Sequence, residues 1–461
     1  MTGAPQTLLA RLRERDHTHG SLLISILVLA LPALLASAVG NGVFHLGDLY
    51  FLARLEDGAV AAAGATNATL RQGFFLMVMG LSTAAQLRVA RAIGRGDRAG
   101  AERAAGQTFV AAFALTAVAA LAGVLFARPL AAQVVAADPR VLELAIPYLR
   151  LTFLLLGANI LFQLGSGVLT GAGDAATPFL AMLVSSFAAV AAQWLLAFGE
   201  LGAPRLGISG MALGSGVGAA VGVVMLAWAL FAGHSRVHLR AQQLWPDREE
   251  LAAVLGVAWQ PALHLTARTL VGIFFMALAG KLGSDAQAAY TIGLRFEMLV
   301  GMIAFPVANA CATLVAQNLG AGRPERARAA VCAAFVIEAA VLFPIAALVF
   351  AFREPLAASF APNAPETARL GAEYLGYSAI VMALYAVYFV SFRALQAHGD
   401  MQMPMKISLG MALLVGVPLG WGLALWTPLG PTGIWIGTLA YTAGNTGLTA
   451  AWLWRTHRQA A

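Results

Sequence analysis

The chain has 461 residues, of which 60% are apolar and only 11% are charged, and its mean hydropathy is +0.76. Soluble domains are roughly half apolar and a quarter charged, so a globular interior could not bury this apolar surface and a lipid bilayer must surround most of the chain. The net charge of +7 is spread over short polar gaps rather than gathered in one patch, which excludes a nucleic-acid-binding protein.

Apolar runs bounded by glycine, proline and charged residues divide the chain into twelve segments, each long enough to cross a bilayer as a helix. The first six lie near residues 21–50, 59–85, 106–127, 142–169, 178–198 and 207–233. After a polar link, six more lie near residues 255–280, 288–316, 329–352, 370–396, 404–426 and 431–454. The pattern predicts an all-α integral membrane protein with twelve transmembrane helices.

The positions of the basic residues predict the domain organisation and the orientation. Of the 29 Lys and Arg residues, 18 fall on the side of the termini and the central link, and seven fall on the other side. Because cytoplasmic loops are rich in Lys and Arg, we expect both termini in the cytoplasm of a bacterial inner membrane. The predicted parts are a cytoplasmic N-terminus, a six-helix lobe, a cytoplasmic linker, a second six-helix lobe and a cytoplasmic C-terminus, at residues 1–20, 21–233, 234–250, 251–454 and 455–461.

An internal repeat relates the two lobes. The two pairs of matching motifs are Gly94-Arg95-Gly96 with Gly320-Ala321-Gly322, and Gly173-Asp174 before Pro178 with Gly399-Asp400 before Pro404. Gly94 and Gly173 are 79 residues apart, as are Gly320 and Gly399. Six crossings per copy give both copies the same topology, so they are parallel repeats about an axis along the membrane normal.

Three segments carry a resemblance to a known family. They are Gln317-Asn318-Leu319-Gly320-Ala321-Gly322-Arg323-Pro324-Glu325-Arg326-Ala327, the Gly173-Asp174 loop before Pro178, and Gly47-Asp48 late in the first crossing. With this spacing in both halves, the chain resembles the multidrug and toxic compound extrusion (MATE) transporters over nearly its whole length. The resemblance implies two lobes in a V around a central cavity, and export of organic, amphipathic or cationic compounds in exchange for H⁺ or Na⁺, without another cofactor.

Asp48 is the first candidate for the coupling site, because a carboxylate at membrane depth is costly and therefore usually functional. The resemblance places the family's first-helix acid at this residue. In many relatives the fifth helix adds an Asn and an Asp, and the sixth adds a hydroxyl, and alignment puts Ala189, Gln193 and Ser215 at those positions. Since Na⁺ prefers several hard oxygen ligands, a single carboxylate favours H⁺ coupling.

Each of the other polar candidates in the N-terminal lobe has two interpretations. His45 precedes Asp48 by three residues and would share its helix face, either as a proton relay or as an interfacial histidine bonded to a backbone carbonyl. Asn159 and Gln163 are one turn apart in the fourth crossing, where they would line the cavity or hold helices together.

The C-terminal lobe offers Arg268, Arg295, Glu297 and Tyr385 as candidates for the substrate cavity. Charged residues in the membrane need partners, so internal ion pairing is the alternative. Some relatives carry acids in the seventh and tenth helices, where this chain has Arg268 and Tyr385, which makes a strongly anionic cavity unexpected.

Pro32 and Pro261 lie early in the first helix of each lobe, where a proline bends a helix either as a static kink or as part of a conformational switch.

Two other functions compete with an exporter of small molecules. A lipid-linked precursor flippase of the same superfamily would use a basic cavity, for which Arg71, Arg268 and Arg295 are available, but such proteins usually have about fourteen crossings. A membrane enzyme would need metal-ligand spacing or a nucleophile motif, and we find neither in the sequence. We therefore predict a monomeric transporter with a small-molecule substrate, and not an enzyme.

Overall fold

The computed structural model describes residues 16–55, 63, 72–134, 139–233 and 235–459, which are almost entirely helical and contain no β-strand. We number the long helices in chain order. The first six are α1 Leu22–Leu52, α2 Gln72–Gly94, α3 Arg98–Val134, α4 Pro139–Ala172, α5 Ala176–Phe198 and α6 Ile208–Phe231. The next six are α7 Arg248–Leu282, α8 Ser284–Gly320, α9 Pro324–Ala351, α10 Pro365–His398, α11 Gln402–Trp426 and α12 Pro431–Gln459.

Ten of these helices are long and apolar enough to cross a membrane, and the other two described long helices, α2 and α12, have 23 and 29 residues. One helix overlaps each of the twelve apolar runs. The all-α membrane architecture predicted from composition is therefore confirmed, whereas the number of helices that cross the bilayer stays a prediction.

The chain forms two compact units. One comprises Met1–His17 and Leu31–Ala262, and the other comprises Thr18–Ala30 and Leu263–Ala461. In the first unit the most extensive packing is between α5 and α6, and α4 packs on both α3 and α6. In the second unit α10 is central, because α8, α9 and α12 all pack against it.

The repeated Gly-Asp motif makes the same turn in both units. Gly173 and Gly399 end α4 and α10 with φ angles of 97° and 96°, a region that glycine adopts without the steric cost of a Cβ. The following Asp caps the next helix: Asp174 Oδ1 accepts from the Thr177 amide at 2.9 Å, and Asp400 Oδ1 accepts from the Met403 amide at 3.0 Å. The repeat seen in the sequence is thus a repeated helix-stop and helix-start signal.

Two helices contain π-helical segments, Ala36–Asn41 in α1 and Ala412–Gly416 in α11. Such segments are rare, and they frequently occur at functional sites and at bends. Pro32 lies four residues before the first of them, whereas Pro261 lies inside the uninterrupted helix α7. The bending role of either proline stays a prediction.

Candidate functional site

The first candidate site joins three helices of the N-terminal unit through the Gln193 side chain. The Gln193 amide Nε2 donates to Asp48 Oδ1 at 2.9 Å and to the Ser215 hydroxyl at 2.9 Å. Ser215 in turn donates to the Met211 carbonyl at 3.0 Å. The family resemblance predicts these three side chains for the coupling site, and in the structure Gln193 contacts both of the others.

Small residues allow the helices to approach this closely. A Cβ on Gly214 of α6 would lie 2.4 Å from the Gln193 backbone nitrogen, and one on Gly218 would lie 2.4 Å from the Ala189 Cβ. On α1, a Cβ on Gly47 would lie 2.9 Å from the Val190 side chain. The glycines of α6 therefore allow the close approach that places Ser215 beside Gln193.

A second feature of the site is the amide oxygen of the buried Gln193 side chain. The side chain is fully buried, yet its amide oxygen Oε1 makes no hydrogen bond to any residue that the structure describes. Asp48 and Ser215 are only partly buried. The site therefore combines one carboxylate, one hydroxyl and one amide oxygen with acceptor capacity left over, whereas Ala189 contributes no polar group.

The other N-terminal candidates lie in different surroundings. His45 is exposed on α1 and makes an edge-to-face contact with the Phe44 ring, with centroids 5.5 Å apart. Gln163 lies between α4 and α2, where its amide approaches Met79 Sδ at 3.9 Å and its backbone carbonyl accepts from Ser82 at 2.9 Å. Asn159 is exposed on α4. The side-chain amide and the backbone carbonyl of Gln163 thus both contact α2.

The C-terminal unit contains a second polar cluster around Glu297 of α8, which is 7% exposed. Its Oε1 accepts from Tyr374 at 3.0 Å and from Ser378 at 2.8 Å, and its Oε2 accepts from Tyr385 at 3.0 Å. All three donors belong to α10. Hydroxyl groups thus satisfy the hydrogen-bonding capacity of the Glu297 carboxylate. The ion-pair interpretation of Glu297 did not predict these donors.

Arg268 of α7 contacts the Glu297 cluster through the Tyr385 hydroxyl, which also donates to Glu297. Its Nη2 donates to the Tyr385 hydroxyl at 2.8 Å, and its guanidinium lies 4.9 Å from the Tyr385 ring centroid and 5.2 Å from that of Phe389. Such cation–π contacts stabilise a guanidinium that is partly removed from water. Arg295 is exposed on α8 and is not part of this cluster, and Arg71 lies outside the described residues.

Two of the three donors to Glu297, Tyr374 and Ser378, are not predicted by the sequence motifs. Tyr374 and Ser378 are one turn apart, and Tyr385 follows two turns later, so a polar stripe along one face of α10 was the signal that could have found them. On the same helix, Tyr388 bonds to His264 Nε2 at 2.8 Å, and His264 Nδ1 lies 3.2 Å from the Pro404 carbonyl.

Known proteins resemble this chain along most of its length. The sequence profile of the MatE family matches residues 32–195 and 262–421, which together are more than half of the chain. The probable multidrug resistance protein NorM of Deinococcus radiodurans is 28% identical over 452 residues, covering 97% of this chain and 96% of the relative. The multidrug resistance protein PmpM of Pseudomonas aeruginosa is 29% identical over 266 residues, which are 55% of this chain and 54% of the relative.

A solved structure shows the same fold. A crystal structure of MATE in the bent conformation superposes with a TM-score of 0.88 at 20% sequence identity, covering 96% of this chain and 97% of that chain. With the family profile matched in both halves, and with relatives named as multidrug resistance proteins, the chain belongs to the MatE family, the multidrug and toxic compound extrusion transporters.

Proposed function

We propose that this efflux transporter exports organic, amphipathic or cationic compounds in exchange for H⁺, and that Asp48 is the proton-binding switch. The observation that carries the proposal is the Gln193 side chain, which bonds Asp48 and Ser215 through its nitrogen and keeps its buried oxygen unbonded among the described residues. We also propose that the transporter is a monomer in the inner membrane with both termini in the cytoplasm, as the loop charges predict.

The switch follows from what each atom can donate or accept. As a carboxylate, Asp48 only accepts hydrogen bonds, and the Gln193 amide nitrogen supplies one. Once protonated, Asp48 carries an O–H that donates, and Gln193 Oε1 is an acceptor on the adjacent side chain. Rotation of the amide would bring Oε1 towards Asp48 and withdraw Nε2 from its present partners. Proton binding would therefore rearrange the hydrogen bonds that join α1, α5 and α6.

The structure of α1 supports a conformational response to this rearrangement. Asp48 lies on the same helix as Pro32 and the π-helical segment Ala36–Asn41, so α1 contains two local irregularities before the switch residue. Helices bend where a proline or a π-segment interrupts the regular hydrogen-bond ladder. We propose that protonation of Asp48 shifts the bending of α1 at this segment.

Protons fit the donor set better than Na⁺. A sodium ion takes several oxygen ligands, and the described site provides one carboxylate, the Ser215 hydroxyl and the Gln193 amide oxygen. Ala189, at the position where many relatives carry a polar side chain, packs against Gly218 and adds none. A proton needs only Asp48 and one hydrogen-bond partner.

In the C-terminal unit, we propose that Glu297 has a structural role and that Arg268 is the better candidate for substrate contact. Three hydroxyl groups on α10 already satisfy the Glu297 carboxylate. Arg268 uses one of its five N–H donors on Tyr385, which leaves donors able to bind polar or acidic groups of an amphipathic compound.

The test is transport of a fluorescent organic cation such as ethidium in proteoliposomes, with the pH gradient and the Na⁺ gradient imposed separately. We expect a pH gradient alone to drive transport by the unmodified protein, and Asp48→Asn to abolish it. The matched control is Asp247→Asn, because Asp247 is exposed and caps α7 by accepting from the Glu249 amide at 3.0 Å, which an Asn can also do. Transport driven by Na⁺ alone, or pH-driven transport that survives in Asp48→Asn, would contradict the proposal.

A further inference from the structure

A second isolated carboxyl group lies in the C-terminal unit, away from the Glu297 cluster. Glu338 of α9 is 2% exposed, and neither of its carboxylate oxygens makes a hydrogen bond to any residue that the structure describes. The buried neighbours on its helix face, Ala334 and Leu342, are apolar. Its situation is thus the opposite of that of Glu297, which has three donors.

Glu338 also lies far from either end of its helix. It follows Pro324, at the start of α9, by fourteen residues, which corresponds to about 21 Å along the helix axis. Ala351 ends the helix thirteen residues later, about 20 Å further on. An ionised carboxylate without partners at this depth would lack the solvation that water or a counter-ion provides, so the neutral, protonated acid is the form that these surroundings favour.

Buried polar side chains lie along α8 and α10 between the Gly320–Pro324 end of the unit and its interior. Both helices pack against α9 and against each other; α8 contributes Asn318 and Cys311, and α10 contributes Gln396 and Ser391, each no more than 1% exposed. Asn318 Oδ1, Gln396 Nε2 and Ser391 Oγ make no hydrogen bond to a described residue. We call these four residues the polar column.

The members of the polar column lie at graded depths. Asn318 and Gln396 are each two residues from the end of their helix, about 3 Å. Ser391 lies seven residues before His398, about 10 Å, and Cys311 lies nine residues before Gly320, about 14 Å. Buried polar atoms without protein partners commonly bond ordered water, so the column offers positions for water between the end of the unit and its interior.

The charged and titratable groups around Glu338 are few. Cys311 of α8 lies within electrostatic range of both Glu338 and Arg393 of α10. Within one turn of Glu338, α9 itself carries only apolar residues. The short helix Arg353–Phe360 contributes Arg353 and Glu354, which lie beyond the opposite end of α9.

We infer that Glu338 is a proton-binding site of this transporter, separate from Asp48, and that it exchanges its proton with water at the Gly320–Pro324 end through the polar column. Glu338 carries the proton while α8, α9 and α10 are packed as in this structure. Release of the proton requires that water or a basic group reach the carboxylate, so a change in the packing of these helices during transport changes the occupancy of the site.

Infrared titration of the full-length protein in lipid nanodiscs tests the protonation directly, because the C=O stretch of a protonated carboxylic acid is resolved from the bands of a carboxylate. At neutral pH we expect a protonated-acid band in the unmodified protein, in Asp48→Asn and in the exposed control Glu354→Gln, and no such band from this site in Glu338→Gln. Glu338→Asp, which keeps a carboxyl group one methylene shorter, should retain a band at an altered frequency and covers the case in which the Gln variant does not fold.

The pH dependence of ethidium transport tests whether Glu338 exchanges its proton during transport. Glu338→Gln should shift the pH profile, whereas Glu354→Gln should not. A protonated-acid band that is not reduced when Glu338→Gln is added to Asp48→Asn overturns the inference, and so does a pH profile of Glu338→Gln that matches that of Glu354→Gln although the band is lost. The infrared measurement does not depend on transport, so failure of the Asp48 proposal would leave the Glu338 band in place.

Discussion

Replacing Gly214 with Ala tests whether the packing of α5 on α6 creates the Asp48 site. The new Cβ would lie 2.4 Å from the Gln193 backbone nitrogen and 2.7 Å from its Cα, whereas ordinary contacts begin at 3.4 Å. Because backbone atoms cannot rotate out of the way, the two helices must separate by about 1 Å at this point. The hydrogen bond from Gln193 to Ser215, now 2.9 Å, would then stretch to about 3.9 Å and be lost.

Two effects should destabilise the Gly214→Ala variant. Overpacking typically costs about 1–3 kcal/mol, and the broken hydrogen bond adds about 1 kcal/mol. We expect a lower thermal midpoint for the detergent-solubilised protein and slower transport driven by a pH gradient. Gly272→Ala is the control, because a Cβ on that glycine of α7 would meet nothing within 4 Å. Equal midpoints and equal transport rates for Gly214→Ala and Gly272→Ala would refute the packing argument.

Two further variants test single contacts. Tyr374→Phe removes one of the three donors to Glu297. It should destabilise the C-terminal unit by about 1.5–3 kcal/mol, the usual range for a hydrogen bond to a charged group. The control Tyr377→Phe should not destabilise the unit, and equal thermal midpoints for the two variants would contradict this prediction. Arg88 pairs with Glu250, and both side chains are about one-third exposed, so Arg88→Gln should cost only about 0.2–1 kcal/mol. That loss should shrink when the midpoint is measured in high salt, and a loss independent of salt would show that the contact is not mainly electrostatic.

Much of the N-terminal unit could be predicted because its signals are local. The Gly-Asp turn at Gly173 combines a left-handed glycine with a capping aspartate, both of which are properties of adjacent residues. Gly214 and Gly218 are one turn apart and therefore predict one close-packed helix face. The contact of Gln193 with Asp48 cannot be predicted from local signals, because it joins residues 145 positions apart. Only the family resemblance assigns these two residues to one site.

The donors to Glu297 could not be predicted in this way, because no local rule pairs a residue of α8 with one of α10. Arg295 and Glu297 looked equivalent in the sequence, as charged residues two apart in one apolar run. On a helix they point in different directions, and the structure places Arg295 at the surface and Glu297 in the core. Which of the two faces α10 depends on the packing of the whole unit.

Hydrogen-bonding capacity distinguishes three carboxyl groups of the described long helices, Glu297, Glu338 and Asp48. Glu297 accepts three hydrogen bonds from α10, an arrangement that holds the carboxylate in place. Glu338 makes none with the described residues, which favours a bound proton. Asp48 accepts from a Gln193 amide that can present either its nitrogen or its oxygen, so both protonation forms have a partner at small cost. A carboxyl group that can be satisfied in both forms is the one suited to switching, and this is the physical reason for expecting the coupling in the N-terminal unit.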